Sequence, residues 1–416
     1  MRLNYLANAL GLILKYIGFV ILIPILIAII YKDYVSIIPF LSAGIISITV
    51  GHFLRKIVKN AYKIENLNDI KKSEALFVVA MAWVIFGIVA GLPYLFYGLN
   101  PVDSIFEAVS GITTTGATII THFNYPKAFF FWRSFTQWLG GLGIIVLFIA
   151  ILPQFAVAGR QMFFAEAPGP TEDKITPRIR NTASALWKIY VIITLLNIFF
   201  LHLAGMPMFD SLCNALSTMA AGGFSPNPES IAGYHSNLIS WITTIFMFIA
   251  GSSFILQYRA ITRRKPSLFL QSEEFKTYAI MVLIMGGLIS FSLVMTNGYE
   301  IKQAITDAFY QVVSITTSTG SANTDFAKWS FTSQALLFIV MFMGSCASSA
   351  GGGIKMTRWI LVFKSLKNAL KKVLHPNAIL NVKIDNAIIP NNILNQTIVF
   401  VILYFLCFGV DRKSVV

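Results

Sequence analysis

The chain carries three versions of one short segment, each running from an aspartate to a glycine 13 positions later. The copies occupy residues 103–116, 210–223 and 307–320. Small or hydroxyl residues stand just before each glycine, and a long apolar run lies on either side of each segment. Repeats placed in this way between apolar runs predict several copies of one loop that face a common axis.

Apolar runs make up most of the remaining sequence. Of the 416 residues, 56% are hydrophobic and 12% are charged, and the mean hydropathy is +0.71. A soluble domain cannot bury that much apolar surface, so we expect an all-α polytopic membrane protein. The predicted spans are 11–31, 35–54, 75–97, 128–155, 183–203, 238–258, 278–295, 333–363 and 394–410. The first two form a leading hairpin, and each of the first eight is long enough to cross ~30 Å of hydrocarbon with ~20 residues.

The formal net charge of +14 comes from basic residues that cluster in alternate loops between the spans. The four clusters are Arg55, Lys56, Lys59, Lys63, Lys71 and Lys72; Arg160, Lys174, Arg178 and Arg180; Arg259, Arg263, Arg264 and Lys265; and Lys355, Arg358, Lys364, Lys367, Lys371, Lys372 and Lys383. This positive-inside pattern places the four loops in the cytoplasm, and the N-terminus with them. We therefore expect a multi-pass protein embedded in a lipid bilayer, with no nucleic-acid partner.

The sequence offers no grouping of side chains for catalysis or for a resident metal. Cys213, Cys346 and Cys407 lie in apolar stretches, and the five histidines are scattered without metal-ligand spacing. A Ser/His/Asp arrangement is also missing. We therefore expect neither an enzyme nor a cofactor.

Each repeated segment predicts a short helix with its aspartate at the N-cap, where a carboxylate accepts from unpaired backbone N–H groups. The stretch 104–114 makes about three turns, ~16 Å, so such a helix must dip into the bilayer and return. Two full crossings per repeat give the copies the same orientation around a central pore. The predicted domains are the hairpin 1–56, the repeats 73–157, 183–260 and 276–363, a cytoplasmic linker 364–391, and the first span of an incomplete fourth repeat, 392–416.

The loops after the short helices have the composition of an ion filter. Rings of backbone carbonyls can replace the water shell of an ion, and glycine allows the positive φ that turns a carbonyl towards the axis. The negative C-terminal ends of the short helices favour a cation. Glu107, Asn214 and Gln311 share one repeat position, at which we expect them to brace the loops from behind. The candidate filter residues are Thr114, Thr115, Gly116, Ala221, Gly222, Gly223, Thr319, Gly320 and Ser321.

The span after the third loop contains three consecutive glycines, each of which costs a helix roughly 1 kcal/mol relative to alanine. We expect this segment to unwind inside the membrane and to act as a gate. The candidate gate residues are Ser348, Ser349, Ala350, Gly351, Gly352, Gly353 and Lys355. A site of close helix packing is the alternative, and Lys355 suits inner-side anchoring equally well. A phosphate-binding loop is excluded because Ile354 follows the glycines.

Three features together resemble the Trk/Ktr/HKT superfamily of cation transporters, and its bacterial TrkH-type branch most closely. They are the three glycine-ended loops, the stretches Trp138-Leu-Gly-Gly-Leu-Gly143 and Ala220-Ala-Gly-Gly-Phe-Ser225, and the broken last long span. The resemblance implies four units around one pore in a bacterial inner membrane, a gating intramembrane loop, a cytoplasmic nucleotide-binding regulatory subunit and a homodimer. It also implies potassium uptake, with potassium held at Thr115, Gly116, Gly222, Gly223, Thr319 and Gly320. By the same resemblance, the glycine at position 116 favours potassium over sodium.

Two other functions stay open from the sequence. A coupled secondary carrier, moving potassium with protons or sodium, would need charged residues buried at mid-membrane, and few are apparent. A non-conducting remnant is the other alternative, since the residues after 410 supply neither a fourth short helix nor a fourth filter glycine. We therefore expect a truncated version of a longer chain.

Overall fold

The computed structural model describes residues 3–61, 72–143, 179–375, 377, 380–385 and 387–411. The end of the predicted span 128–155 and the loop that follows it lie outside these residues. The helices described are α1 (Leu3–Ile21), α2 (Ile23–Ile30), α3 (Ile37–Ala61), α4 (Lys72–Leu95), α5 (Pro101–Ile112), α6 (Lys127–Gly141), α7 (Ile179–Leu203), α8 (Met208–Met219), α9 (Asn237–Gly251), α10 (Phe254–Thr262), α11 (Ser267–Gln271), α12 (Glu273–Asn297), α13 (Ile301–Thr316), α14 (Phe331–Met341), α15 (Met356–Leu374) and α16 (Asn391–Asp411).

Six helical segments of the described chain are long and apolar enough to cross a membrane, which confirms the multi-pass prediction. They are Leu6–Ile30, Tyr34–Val58, Leu76–Leu95, Ala183–Leu203, Glu273–Asn297 and Asn391–Gly409. The bent pair α9 and α10 makes a seventh if it is counted as one span. Large apolar side chains such as Phe199 and Phe291 are 55% and 62% exposed on these helices, as expected for surfaces that face lipid.

Glycines bring α1 and α3 into close contact. A Cβ on Gly51 would lie 2.6 Å from the carbonyl oxygen of Gly11, and a Cβ on Gly18 would lie 2.9 Å from that of Gly44. Small residues at such an interface let two helix backbones approach in the absence of a hydrophobic driving force. The first two predicted spans therefore pack against each other as a helical pair.

The short helices begin earlier than the sequence predicted, so the assignment of the three aspartates as N-caps is wrong. Asn100 caps α5, because its side chain accepts from the Asp103 N–H at 2.9 Å and Pro101 is already held at a helical φ. α8 likewise begins two residues before Asp210. Asp307 is buried within α13, six residues after Ile301, where it accepts from Gln303 at 2.9 Å.

One small β-hairpin corrects the all-α prediction. Strands β1 (Lys383–Ile384) and β2 (Ala387–Ile388) pair antiparallel within the predicted linker 364–391. Asp385 makes the turn with a left-handed backbone, φ 46°. A small apolar cluster of Leu361, Val382, Ile389 and Leu394 packs beside the strands, and their burial explains why this short segment is ordered.

The described residues form two compact units. The first comprises residues up to 250 together with 319–326, and the second comprises 251–318 and the residues from 327 onwards. The predicted filter glycines Gly116, Gly223 and Gly320 all belong to the first unit. The second contains α14, the non-helical segment 342–355 and α15, so the span with three consecutive glycines is interrupted as its composition predicted.

Candidate functional site

The three repeated loops adopt the same backbone conformation. The predicted positive φ occurs at each glycine, with 76° at Gly116, 82° at Gly223 and 73° at Gly320. Two residues earlier, each loop also contains a left-handed residue that is not glycine, at a cost of about 1–2 kcal/mol each. These residues are Thr114 at 56°, Ala221 at 56° and Ser318 at 57°. The same left-handed residue thus recurs at one position in all three copies of the loop.

The left-handed residues end the short helices in a common way. In the first repeat, the Thr115 N–H donates to the Ser110 carbonyl at 2.9 Å. In the second, the Gly222 N–H donates to the Ser217 carbonyl at 3.0 Å. Both are the six-to-one hydrogen bonds of a Schellman helix end. The chain therefore leaves these two helices in the same direction relative to the helix axis.

The filter glycine of one loop lies against the next loop in the series. A Cβ on Gly116 would overlap the carbonyl oxygen of Gly222, and a Cβ on Gly223 would overlap that of Thr319. In both cases the carbonyl belongs to the residue just before the next filter glycine. A Cβ on Gly320 would meet no atom within 4 Å in the described part of the chain. The structure thus brings the predicted filter residues of the three loops together, in chain order.

The stretch at the end of α6 explains how the first two loops come so close. A Cβ on Gly140 would overlap the carbonyl oxygen of Ile112, which is the last residue of α5. A Cβ on Gly141 would lie 2.6 Å from the Cα of Ala220, just past the end of α8. The two glycines therefore let the ends of both short helices rest directly on the backbone of α6.

A buried ion pair braces the first loop. The Arg133 Nε lies 2.7 Å from Glu107 Oε1, with the two side chains 2% and 0% exposed. The Glu107 carboxylate also accepts from Thr118 Oγ1 at 3.0 Å and from the Ile119 N–H at 3.2 Å. Glu107 thus supports its loop from behind, as its repeat position predicted. Arg133 lies in the interior, because its pairing with Glu107 holds it there.

The second loop is braced by polar side chains from two directions. Asn214, at the repeat position of Glu107, donates to the Tyr234 hydroxyl at 3.1 Å. Burial raises the pKa of Tyr234, and the nearby Asp210 carboxylate raises it further, so the phenol stays neutral. Gln137 of α6 donates to the Gly222 carbonyl at 2.7 Å. Sequence reasoning missed Gln137, because its hydrogen-bond partners are 80 or more positions away.

The candidate gate segment is an ordered loop held mainly by backbone atoms. The Gly344 N–H donates to the Ile354 carbonyl at 3.0 Å, and the Met356 N–H donates to the Ser345 carbonyl at 3.0 Å. Its two ends are thus tied together. Within the loop, Lys355 Nζ donates to the Gly351 carbonyl and lies 3.5 Å from Ser349 Oγ.

Glu274 joins both ends of this loop to the start of α12. Its carboxylate accepts from the Ala347 N–H at 2.7 Å, from the Thr357 N–H at 3.2 Å and from the Thr357 hydroxyl. Hydrogen bonds from several donors to one partly buried carboxylate are strong because the acceptor is charged. The sequence alone barely indicates that Glu274 ties this loop to α12, because acidic residues are common in the first turn of a helix.

Three comparisons with known proteins agree with one another. Residues 39–415 match the family TrkH, described as a cation transport protein. The chain is 36% identical to the Trk system potassium uptake protein TrkH of Halomonas elongata, over 98% of this chain and 84% of that protein. It is 34% identical to the protein of the same name from Salmonella typhimurium, over 100% of this chain and 86% of that protein. The crystal structure of the potassium transporter TrkH from Vibrio parahaemolyticus superimposes with a TM-score of 0.85 and 31% identity, over 99% of this chain and 85% of that one.

Proposed function

Because the chain belongs to the TrkH family of cation transport proteins, we propose that it carries potassium across a membrane through a filter of backbone carbonyls. Its relatives are named as transport proteins and not as enzymes. This agrees with the expectation from the sequence that the protein is not an enzyme. Potassium is the cargo of these relatives by name, and it is the substrate that we propose here.

The observation that carries the proposal is the repeated contact between neighbouring loops. Gly116 lies against the Gly222 carbonyl, and Gly223 lies against the Thr319 carbonyl. Units related by rotation about one axis make the same contact with each successive neighbour. This supports parallel repeats, each with two crossings and one short helix, arranged around a central pore.

In the proposed filter the ion contacts oxygen atoms of the main chain. The ligands are the carbonyls of the loop residues Thr115, Gly116, Gly222, Gly223, Thr319 and Gly320, flanked by Thr114, Ala221 and Ser321. The C-terminal ends of α5, α8 and α13 precede these loops and favour positive charge. Charged side chains are not needed in contact with the ion, which allows rapid release as well as binding.

The loop at 342–355 is the proposed gate, with Ser348, Ser349, Ala350, Gly351, Gly352, Gly353 and Lys355 as its moving part. Its ends are fixed, because the Glu274 carboxylate binds both Ala347 and Thr357. Between them, the consecutive glycines can change their dihedral angles at little steric cost. Lys355 holds the present arrangement through its bond to the Gly351 carbonyl. Loss of that bond would release the middle of the loop while the ends stay in place.

Regulation from the cytoplasm is part of the same proposal. We place the protein in a bacterial inner membrane, as a homodimer, with the N-terminus and a nucleotide-binding regulatory subunit on the cytoplasmic side. Lys364 of α15 lies 2.5 Å from Glu273, whose N–H donates to Asp385 of the β-hairpin at 2.8 Å. Glu273 is the chain neighbour of Glu274. A partner that moves the hairpin would therefore displace the residue beside the carboxylate that holds the gate loop.

A coupled carrier is the competing function, since the buried Arg133–Glu107 pair is the type of group that carriers place within the membrane. The two are separated by recording from the full-length protein in a planar lipid bilayer. Unitary current steps under a potassium gradient alone support the filter and gate. Saturating flux that requires a proton or sodium gradient, with no unitary steps, would support the carrier instead.

A further inference from the structure

Gln137 is a fully buried polar residue on α6, one helical turn after Arg133. Residues four apart on a helix lie on the same face. Arg133 reaches the first loop through Glu107, whereas the Gln137 amide reaches the second loop. One face of α6 therefore supports two filter loops of different repeats.

The amide of Gln137 is bonded on both its nitrogen and its oxygen. Its Nε2 donates to the Gly222 carbonyl at 2.7 Å. Its Oε1 accepts from the Phe224 N–H at 3.2 Å and from Ser217 Oγ at 2.7 Å. Gly222 and Phe224 are the residues on either side of the filter glycine Gly223. A single side chain thus fixes the peptide groups before and after that glycine.

These bonds constrain an oxygen that we propose as an ion ligand. A carbonyl oxygen has two lone pairs, so a hydrogen bond to one of them leaves the other available to an ion. The bond also fixes the direction in which the Gly222 carbonyl points, because the peptide group is planar and rigid. A ring of carbonyls that cannot turn keeps its diameter when a smaller ion enters.

The corresponding place in the next repeat is occupied differently. Gly141 of α6 and Gly251 of α9 occupy equivalent places in their repeats, since each lies close to a tyrosine hydroxyl. The residue four positions earlier is Gln137 in α6 and Met247 in α9. Met247 is also buried, and its sulfur accepts from Ser321 Oγ of the third loop at 3.6 Å. A thioether is a weak acceptor and donates no hydrogen bond. The chain therefore contains a natural contrast between an amide and a thioether at this position of two repeats.

We infer that Gln137 is a positioning residue for ion selectivity, which holds the second filter loop in the geometry that distinguishes potassium from sodium. The inference rests on the proposed filter. Gln137 does not touch the ion in this account. It acts through the orientation of the Gly222 carbonyl and the Phe224 N–H.

The test uses Gln137→Met, which keeps the length of the side chain and copies Met247. The full-length protein is reconstituted in liposomes, and the potassium-to-sodium permeability ratio is measured from reversal potentials. We expect the ratio to fall about fivefold or more, because the substitution removes the three buried hydrogen bonds of the Gln137 amide. The control is Gln334→Met, because Gln334 also donates to two backbone carbonyls, each at 2.9 Å, but lies outside the filter loops. Its ratio should not change.

Ser217→Ala provides an independent arm if Gln137→Met does not fold. It removes one partner of Gln137 while leaving Gln137 in place, and we expect a smaller fall in the ratio in the same direction. An unchanged ratio in the folded Gln137→Met protein, or in Ser217→Ala where that protein alone folds, would overturn the inference. Absence of potassium flux through the unsubstituted protein would instead overturn the proposed function and the inference with it.

Discussion

Arg133 and Glu107 form an ion pair at 2.7 Å in which both side chains are almost completely buried. Thr118 bonds to both partners, with Arg133 Nη2 donating to its hydroxyl at 3.0 Å and that hydroxyl donating to Glu107 at 3.0 Å. The guanidinium also lies 4.1 Å from the centre of the Phe224 ring in the second loop. The pair thus connects the loops on which the proposed filter depends.

Removing one member of this pair should destabilise the protein strongly. Arg133→Leu leaves the Glu107 carboxylate buried without its cation, at a cost of about 3–5 kcal/mol. We expect a clear fall in the melting temperature of the full-length protein in detergent. The control is Lys364→Leu, whose partner Glu273 is about one-third exposed, so its loss should cost under about 1 kcal/mol. Equal losses in the two variants would contradict the structural role of the buried pair.

Gly116→Ala should abolish selective potassium flux. The new Cβ would overlap the Gly222 carbonyl oxygen, in addition to the strain of a positive φ. Gly98 provides a control that separates strain from overlap. Its φ is also positive, at 90°, but a Cβ there would meet no atom within 4 Å. Gly98→Ala should therefore cost only about 1–2 kcal/mol of backbone strain and leave selectivity unchanged. Potassium uptake by a cell that lacks its own uptake systems measures both variants. Normal selective uptake by Gly116→Ala would place this contact outside the filter.

Lys355→Met should raise basal flux without changing selectivity. The substitution removes the donor that holds the Gly351 carbonyl, so the middle of the gate loop loses a restraint. A lost charged hydrogen bond is worth about 1.5–3 kcal/mol, which predicts a ratio of open to closed protein raised at least roughly tenfold if the closed state is the bonded one. Single-channel open probability is the measurement, and Lys328→Met, at an exposed lysine of the same unit, is the control. A lowered open probability with normal protein levels would show that Lys355 stabilises the open state.

The sequence predicted what depends on local composition. Apolar length predicted the membrane-crossing helices, and the three consecutive glycines predicted the interruption between α14 and α15. Glycine at the end of each repeat predicted the positive φ of Gly116, Gly223 and Gly320. These features follow from hydrophobic thickness and backbone sterics, which a short window of sequence already determines.

What the sequence could not predict depends on partners that are distant in the chain. Arg133 stands next to Trp132, a residue type common at membrane interfaces, yet Glu107, 26 positions earlier, holds it in the interior. Gln137 and Glu274 find their partners 85 and 73 positions away. The left-handed Thr114 was missed for another reason, since threonine rarely adopts that conformation and tertiary packing has to impose it.

The central claim is that adjacent loops form one carbonyl filter selective for potassium. Its most direct test is the reversal potential of the full-length protein in a planar bilayer, with potassium and sodium in opposed gradients, before and after Gly223→Ala. The account predicts reversal near the potassium equilibrium potential for the unsubstituted protein and a shift towards zero for Gly223→Ala, whose Cβ would overlap the Thr319 carbonyl. A reversal potential near that of potassium in both proteins would contradict it.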